Sequence, residues 1–153
     1  MRRWLLLALC LALPGCGRLK DCSKWPFMAA REYWIMLRHT GGYGTLETRK
    51  DYICIFVQGE EERYFYRVDR KVLTRAAQEE TYRLIVQNEI GRLKRWLARR
   101  AASAPRLGSP RMQELEDYTG LFFYYPEQWV RWWEENHERL RIAPDGRHLI
   151  VGK

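Results

Sequence analysis

One unbroken apolar run, at residues 52–57, constrains the fold of this chain more than any other stretch. All six residues are apolar or aromatic (Tyr-Ile-Cys-Ile-Phe-Val). In an extended conformation, successive side chains point to opposite faces, so this run would present apolar groups on both faces. The pattern therefore predicts a central β-strand that other parts of the chain cover on each side.

Two neighbouring segments predict partner strands. Residues 33–37 are rich in strand-favouring types and end at the glycine-containing cluster of residues 39–44. Residues 63–68 alternate more loosely, as an edge strand does, and follow a polar turn at residues 58–61. Three strands joined by short turns indicate an antiparallel β-meander.

A helix is predicted after the meander. Its apolar residues recur at helical spacing on one stripe, interrupted by the acidic Glu89. The stripe consists of Tyr82, Ile85, Val86, Leu93, Trp96 and Leu97. Residues 101–110 contain two Pro, a Gly and small side chains, so they predict a linker.

A second helix, rich in Trp, is predicted to begin at Pro126, because proline is pre-set for the first helical turn. Trp129, Trp132 and Trp133 fall on one face, and we expect all three to lie in the core. A tight turn at residues 145–146 precedes a short closing strand at residues 147–151.

These elements predict an α+β fold: a small antiparallel β-meander, an amphipathic helix, a Trp-rich C-terminal helix and a short terminal strand. The predicted organisation has five parts. They are a signal peptide (1–15), a lipidated tether (16–25), the meander with its helix (26–100), the linker (101–110) and the Trp-rich segment with its closing strand (111–153).

The first sixteen residues have the layout of an export signal: Arg2 and Arg3, ten apolar residues, then small residues. A ten-residue helix is roughly 15 Å long, half of a ~30 Å bilayer core. The ending Leu13-Pro14-Gly15-Cys16 resembles the lipobox of bacterial lipoproteins, with Pro14 where that family usually has a small residue.

The lipobox resemblance implies that residues 1–15 are removed and that Cys16 is acylated. It also implies a location in the bacterial cell envelope, anchored to a membrane by lipid and facing the periplasm or the exterior. The alternatives are a plain signal peptide cleaved nearby and an apolar N-terminus that is not cleaved.

Two cysteines, Cys22 and Cys54, remain after removal of the signal and lipidation of Cys16. In an oxidising envelope, two thiols are most simply interpreted as one disulfide. Because Cys54 lies in the very apolar run, a buried free thiol is the alternative. No Cys-x-x-Cys motif occurs and the three His are scattered, so we expect no metal site.

The chain is basic. Without Arg2 and Arg3, its 25 basic residues exceed the 19 acidic ones by six. Arg92, Arg95 and Arg99 lie opposite the apolar stripe of their helix, and no acid occurs from residue 92 to residue 111. We predict a weak polyanion contact there, with an ordinary solvated face as the alternative. The expected partners are the membrane and an envelope protein or anionic polymer, and not nucleic acid.

Three short motifs near the C-terminus carry a second resemblance. They are Tyr118-Thr119-Gly120, Tyr125-Pro126-Glu127-Gln128-Trp129 and Trp132-Trp133-Glu134-Glu135-Asn136. Together they resemble a segment that often follows HEAT-type repeats in bacterial secreted proteins, which implies a structural module. The strand and helix order of residues 33–99 also resembles small protease-inhibitor domains of the emfourin type.

Sequence motifs for catalysis are missing from the chain. No nucleophile elbow, His-Glu-x-x-His or phosphate-binding glycine loop is present. Glu134 and Glu138 could serve a cell-wall hydrolase, but they fall on the charged face of their helix. We therefore predict a non-catalytic protein without a cofactor. On the opposite face, Asn136 is predicted to bracket neighbouring backbone and His137 to lie at the core margin.

Overall fold

The computed structural model describes residues 22–39, 44–58, 61–102, 110 and 112–153, and it confirms the α+β class. In chain order the elements are α1 (Ala30–His39), β1 (Gly44–Thr48), β2 (Tyr52–Gln58), β3 (Arg63–Asp69), α2 (Arg75–Ala102), α3 (Gln113–Thr119), α4 (Pro126–Asn136), β4 (Leu140–Ile142) and β5 (Leu149–Val151). Short 3₁₀ turns cover Cys22–Lys24, Arg70–Val72 and His137–Arg139.

The predicted meander is present, with β2 in the centre of the order β1-β2-β3 and both pairings antiparallel. Ile53, Cys54 and Ile55 are at most 1% exposed. The central strand is therefore covered on both faces, as its composition predicts.

The first strand, however, was predicted in the wrong place, because residues 33–37 lie in helix α1. Tyr33 and Leu37, four residues apart, are buried, whereas Ile35 between them is 48% exposed. That burial follows a helical period and not the alternation of a strand. The first strand of the meander is instead β1, which begins at the end of the glycine cluster and pairs with β2. Residues 40–43 of that cluster lie outside the described residues.

A first core lies between the sheet and the helices on one of its faces, which we call the inner face. It contains side chains of α1, β2 and β3, together with Leu73 and the first part of α2. Its buried members are Tyr33, Leu37, Ile53, Ile55, Val68, Leu73, Ala77 and Leu84.

A second core is built around the rest of α2, which contributes Tyr82, Val86, Ile90 and Leu93. The other buried members come from α3, α4 and the β4–β5 pair: Leu115, Trp129, Leu140, Ile142 and Leu149. Helix α2 has 28 residues and is thus about 42 Å long, enough to join both cores. The predicted linker overlaps the end of α2, and its residues 103–109 lie outside the described residues.

The C-terminal elements agree with the prediction at α4 and β5 and add two that it missed. Pro126 does occupy the first turn of α4. The N–H of Tyr125 donates to Oε1 of Gln128 at 2.9 Å, so a side chain from inside the helix caps its start. The closing strand is shorter than predicted, and it pairs with β4, which the sequence analysis did not predict. Helix α3 was also missed.

Candidate functional site

The described chain begins at Cys22, so Cys16 and the signal segment lie outside the described residues. Cys22 and Cys54 form a disulfide, with Cα atoms 6.0 Å apart, and both residues are buried. This is the pair predicted from the sequence, and the bond replaces the alternative of a free Cys54 thiol. The first described residue is thereby attached to the middle of the central strand.

The segment after Cys22 crosses one sheet face and then follows the edge of β3. The ring of Trp25 lies 4.9 Å from that of Phe65. At the edge, the N–H of Met28 donates to the carbonyl of Arg67 at 2.8 Å, and the N–H of Arg67 donates to the carbonyl of Pro26 at 3.0 Å. A covalent bond, a ring contact and two backbone hydrogen bonds therefore hold this segment in place.

We call the face covered by this segment the outer face, since α1 and α2 pack on the other one. The register places on it Tyr52, Cys54 and Phe56 of β2 and Arg63, Phe65 and Arg67 of β3. Phe27, which forms an isolated parallel bridge with Arg67, lies at its edge and is 62% exposed.

The predicted basic residues lie on the exposed side of α2, but they are not equivalent. Arg92 forms an ion pair with Glu89, one turn earlier. Arg95 and Arg99 are exposed nearer the end of the helix. A neighbouring cation, Lys94, pairs with Glu134 at 2.8 Å and so connects α2 to α4.

Glu89, the acidic residue in the apolar stripe, is a carboxyl group whose pKa is shifted by its surroundings. Burial raises its pKa above the ordinary value, the Arg92 guanidinium opposes this, and the nearby Glu114 carboxyl adds to it. The sequence indicated Glu89 because it is a single acid at a core-facing position of a helix.

The carboxylates of the hydrolase alternative, Glu134 and Glu138, are both exposed, and Glu134 is engaged by Lys94. A general acid in a glycosidase is usually a buried carboxyl group, which holds its proton at neutral pH. The surroundings of these two residues provide no such burial.

Asn136 and His137 have structural contacts at the end of α4. The Nδ2 of Asn136 donates to the Trp132 carbonyl at 2.8 Å, while its Oδ1 accepts from Arg139 at 2.9 Å. This is the predicted bracket. His137 is half-buried, with Nδ1 3.0 Å from the Trp133 carbonyl, as expected for the core margin.

The Trp residues of α4 differ in burial. Trp129 is fully buried, but Trp132 and Trp133 are half-buried and pack against the second core from its margin. The expectation that all three lie in the core is therefore correct for Trp129 and wrong for the other two. Their helical stripe is wider than the surface that α2 and the β4–β5 pair cover.

An exposed aromatic loop, residues 121–125, connects α3 to α4. Phe122 and Tyr124 are each 72% exposed and Tyr125 is 59% exposed, whereas Phe123 packs edge-on against Trp129 at 4.8 Å. The loop is held at both ends, since Thr119 Oγ1 accepts from the Leu121 N–H and Gln128 caps α4. The sequence analysis did not single out this run, because exposure cannot be read from five consecutive apolar residues.

Acidic residues flank the aromatic loop. Asp117 and Glu127 are exposed, and Glu116 is half-buried. Fixed, exposed aromatic side chains are typical of protein interfaces, where they bury a large area at little entropic cost. The aromatic loop is thus a candidate contact surface with a negative border.

Two further properties concern the described residues alone. They contain no group of three or more His, Cys, Asp or Glu side chains that could hold a metal ion. Among them, no helix has both the length and the apolar character needed to cross a bilayer. Comparisons of the chain with protein-family models, curated proteins and solved structures found no match.

Proposed function

We propose that this chain is a non-catalytic lipoprotein of the bacterial envelope, anchored through Cys16, with a binding role at the membrane surface. The observation that carries the proposal is the buried Cys22–Cys54 disulfide, which begins six residues after the lipobox-like cysteine. Disulfides form and persist in oxidising compartments. The export signal and the disulfide are therefore both consistent with a protein that folds in the bacterial envelope.

The position of the disulfide also suits a lipid anchor. A membrane-attached domain needs a firm connection between its tether and its fold, because a frayed N-terminus would lengthen the tether. Here the bond joins the first described residue to β2, and residues 26–28 add backbone hydrogen bonds to β3. The connection starts within a few residues of the proposed anchor.

For the binding role, we assign the aromatic loop as the contact surface. Phe122 and Tyr124 are its most exposed rings, and Asp117 and Glu127 give it a negative border. The complementary partner is an envelope protein whose surface combines apolar pockets with Lys or Arg side chains.

The anchor is tested by Cys16→Ser, with Cys10→Ser as the matched control in the same apolar segment. Only Cys16→Ser should abolish acylation and release the mature protein from membranes or leave it unprocessed. Membrane fractionation and intact-mass spectrometry provide the readout. A wild-type mature protein with an unacylated N-terminus at another residue would refute the anchor.

The contact surface is tested by cross-linking in membranes followed by purification in detergent. Phe122→Ser with Tyr124→Ser should remove cross-linked species that the wild type and Ile35→Ser retain. Ile35 is the control because it is an exposed apolar residue on α1, 48% accessible, outside the aromatic loop. Equal cross-linking by all forms would reject the aromatic loop as the contact surface.

A further inference from the structure

We infer that the outer face of the sheet, with Phe27 at its edge, lies against the phospholipid surface to which Cys16 is attached. This inference rests on the proposed lipidation of Cys16. It adds an orientation: one named face of the domain contacts lipid headgroups, and the aromatic loop lies on the other side of the molecule.

The first argument is reach. Cys22 is the sixth residue after Cys16, and an extended chain spans at most ~3.3–3.6 Å per residue, so the two residues are at most roughly 22 Å apart. Cys22 cannot move away from the outer face, because its disulfide partner Cys54 belongs to that face. The lipid anchor therefore enters the molecule on this face.

The second argument is the unusual environment of Arg67. Its guanidinium carbon lies 3.9 Å from the centroid of the Phe27 ring and 5.6 Å from that of Tyr52. Within the described part of the chain, its Nε is buried without a hydrogen-bond partner and its guanidinium has no ion pair. A guanidinium held between two rings is fixed in position, and its remaining N–H groups match a phosphate oxygen.

The third argument is the composition of the surrounding surface. Phe27 is 62% exposed and Trp25 is half-buried, and aromatic side chains of this kind favour the membrane–water interface. Lys24 and Arg63 are exposed cations, and each is attracted to an anionic leaflet.

Among the described strand residues, two acids share the outer face, and both are engaged. Glu47, opposite Cys54 in the register, pairs with Arg49 at 2.9 Å. Asp69, opposite Tyr52, accepts a hydrogen bond from the Lys71 N–H at 2.9 Å. Their charges are therefore partly compensated within the protein, so the cations of the face remain effective.

The fourth argument is what occupies the opposite side of the sheet. Helices α1 and α2 pack on the inner face, where the hydroxyl of Tyr118 also contacts Oγ1 of Thr48. The aromatic loop follows α3, which packs on α2 and so lies on the same side of the sheet as α2. A domain resting on its outer face would thus direct the aromatic loop away from the bilayer and towards a partner.

The test uses the full chain, expressed in a bacterial host, purified from membranes in detergent and returned to vesicles of anionic phospholipid. A fraction of that phospholipid carries a photoactivatable diazirine near its headgroup. After illumination, peptide mass spectrometry locates the lipid adducts and also reads the mass of the N-terminal peptide. We expect adducts concentrated on the peptide with residues 24–28 and several-fold fewer on residues 121–125, an internal control with four aromatic side chains against two.

The outcomes separate the inference from the proposed function. An acylated Cys16 with adducts equal on the two peptides, or richer on the aromatic loop, would overturn the orientation and leave the anchor intact. A mature protein without an acyl group would reject both. In a second arm, Phe27→Ser with Arg67→Gln should reduce the adducts on residues 24–28 several-fold. The matched pair Phe122→Ser with Arg131→Gln should not, and circular dichroism of each form checks that it is folded.

Discussion

The hydroxyl oxygens of Tyr33 on α1 and Thr81 on α2 lie 2.7 Å apart, and both residues are completely shielded from solvent. Thr81 donates its own proton to the Ala77 carbonyl at 2.7 Å, so Tyr33 is the donor in the pair. Burial raises the pKa of the Tyr33 phenol, which keeps the donor neutral. One hydrogen bond thus connects the N-terminal helix to the long central one.

This direction of donation predicts an asymmetry between two single substitutions. Thr81→Val leaves the Tyr33 hydroxyl buried without an acceptor and should cost about 1–3 kcal/mol of unfolding free energy. Tyr33→Phe leaves Thr81 bonded to Ala77 and should cost about 1 kcal/mol or less. In the double variant no unpaired hydroxyl remains, so its cost should be below the sum of the two. Urea unfolding measures all three, and additive costs would contradict the coupling.

Removal of the disulfide should destabilise the fold and release the segment that covers the outer face. Cys22 and Cys54 are 32 residues apart, which corresponds to about 3–4 kcal/mol in the chain-entropy model. The double variant Cys22→Ala with Cys54→Ala should lose that amount in urea unfolding. It should also show faster amide exchange at Met28 and Arg67, whose N–H groups form the two backbone hydrogen bonds between the docked segment and β3. Unchanged exchange there would mean that the disulfide is not needed for docking.

Glu89 should make stability depend on pH. Its pKa is raised in the folded state, chiefly by burial, so the folded protein holds this proton more tightly than the unfolded chain does. The unfolding free energy should therefore fall as pH rises from about 4, the unfolded value, through the raised folded value. Glu89→Gln should remove the fall in unfolding free energy that is due to this carboxyl group. The variant also loses the half-exposed ion pair with Arg92, which is worth about 0–1 kcal/mol.

Urea unfolding of the Glu89→Gln variant across this pH range tests the prediction. Glu138→Gln is the control for the loss of one negative charge, since Glu138 is exposed in the 3₁₀ turn that follows α4. Parallel pH profiles for the wild type and Glu89→Gln would contradict the assignment.

The Trp residues of α4 should differ in what their removal costs. Trp129 is fully buried, so Trp129→Ala should lose about 3–5 kcal/mol. Trp133 is half-buried and stacks on His137 at 5.4 Å, so Trp133→Ala should lose only about 1–2 kcal/mol. Thermal melts of both variants give the ranking, and equal losses would show that Trp133 lies as deep as Trp129.

The basic side of α2 should bind polyanions weakly and only at low salt. Arg95 and Arg99 are exposed, whereas Arg92 is partly neutralised by Glu89. Arg95→Gln should therefore lower retention on heparin more than Arg92→Gln does, because Glu89 already compensates part of the Arg92 charge. Arg131→Gln, on α4, is the matched control. Retention that the Arg substitutions leave unchanged would indicate an ordinary solvated face instead.

Local patterns in the sequence were sufficient for several elements. The apolar run at β2 required cover on both faces, and Pro126 with the spacing of its Trp residues located α4. Cys22 and Cys54 were the pair that processing at Cys16 would leave, and they are bonded in the structure. Each of these inferences depends on residue type and period within a short window, which is the information that a sequence contains directly.

Other features were decided by contacts between distant residues. Residues 33–37 have high strand propensity, but burial of Tyr33 against Thr81 and of Leu37 in the first core favours a helix there. Strand propensity spans only about 1 kcal/mol, so tertiary burial readily overrides it. Strand β4 has three residues and becomes a strand only through its pairing with β5.

The surfaces, too, depend on the tertiary structure. The width of the stripe on α4 did not reveal that Trp129 alone would be enclosed, since burial depends on how much of that stripe its neighbours cover. The exposure of the aromatic loop and the position of Arg67 between Phe27 and Tyr52 likewise arise from distant segments that meet in the fold. A residue's type and period follow from the sequence, but what covers it is set by packing between distant parts of the chain.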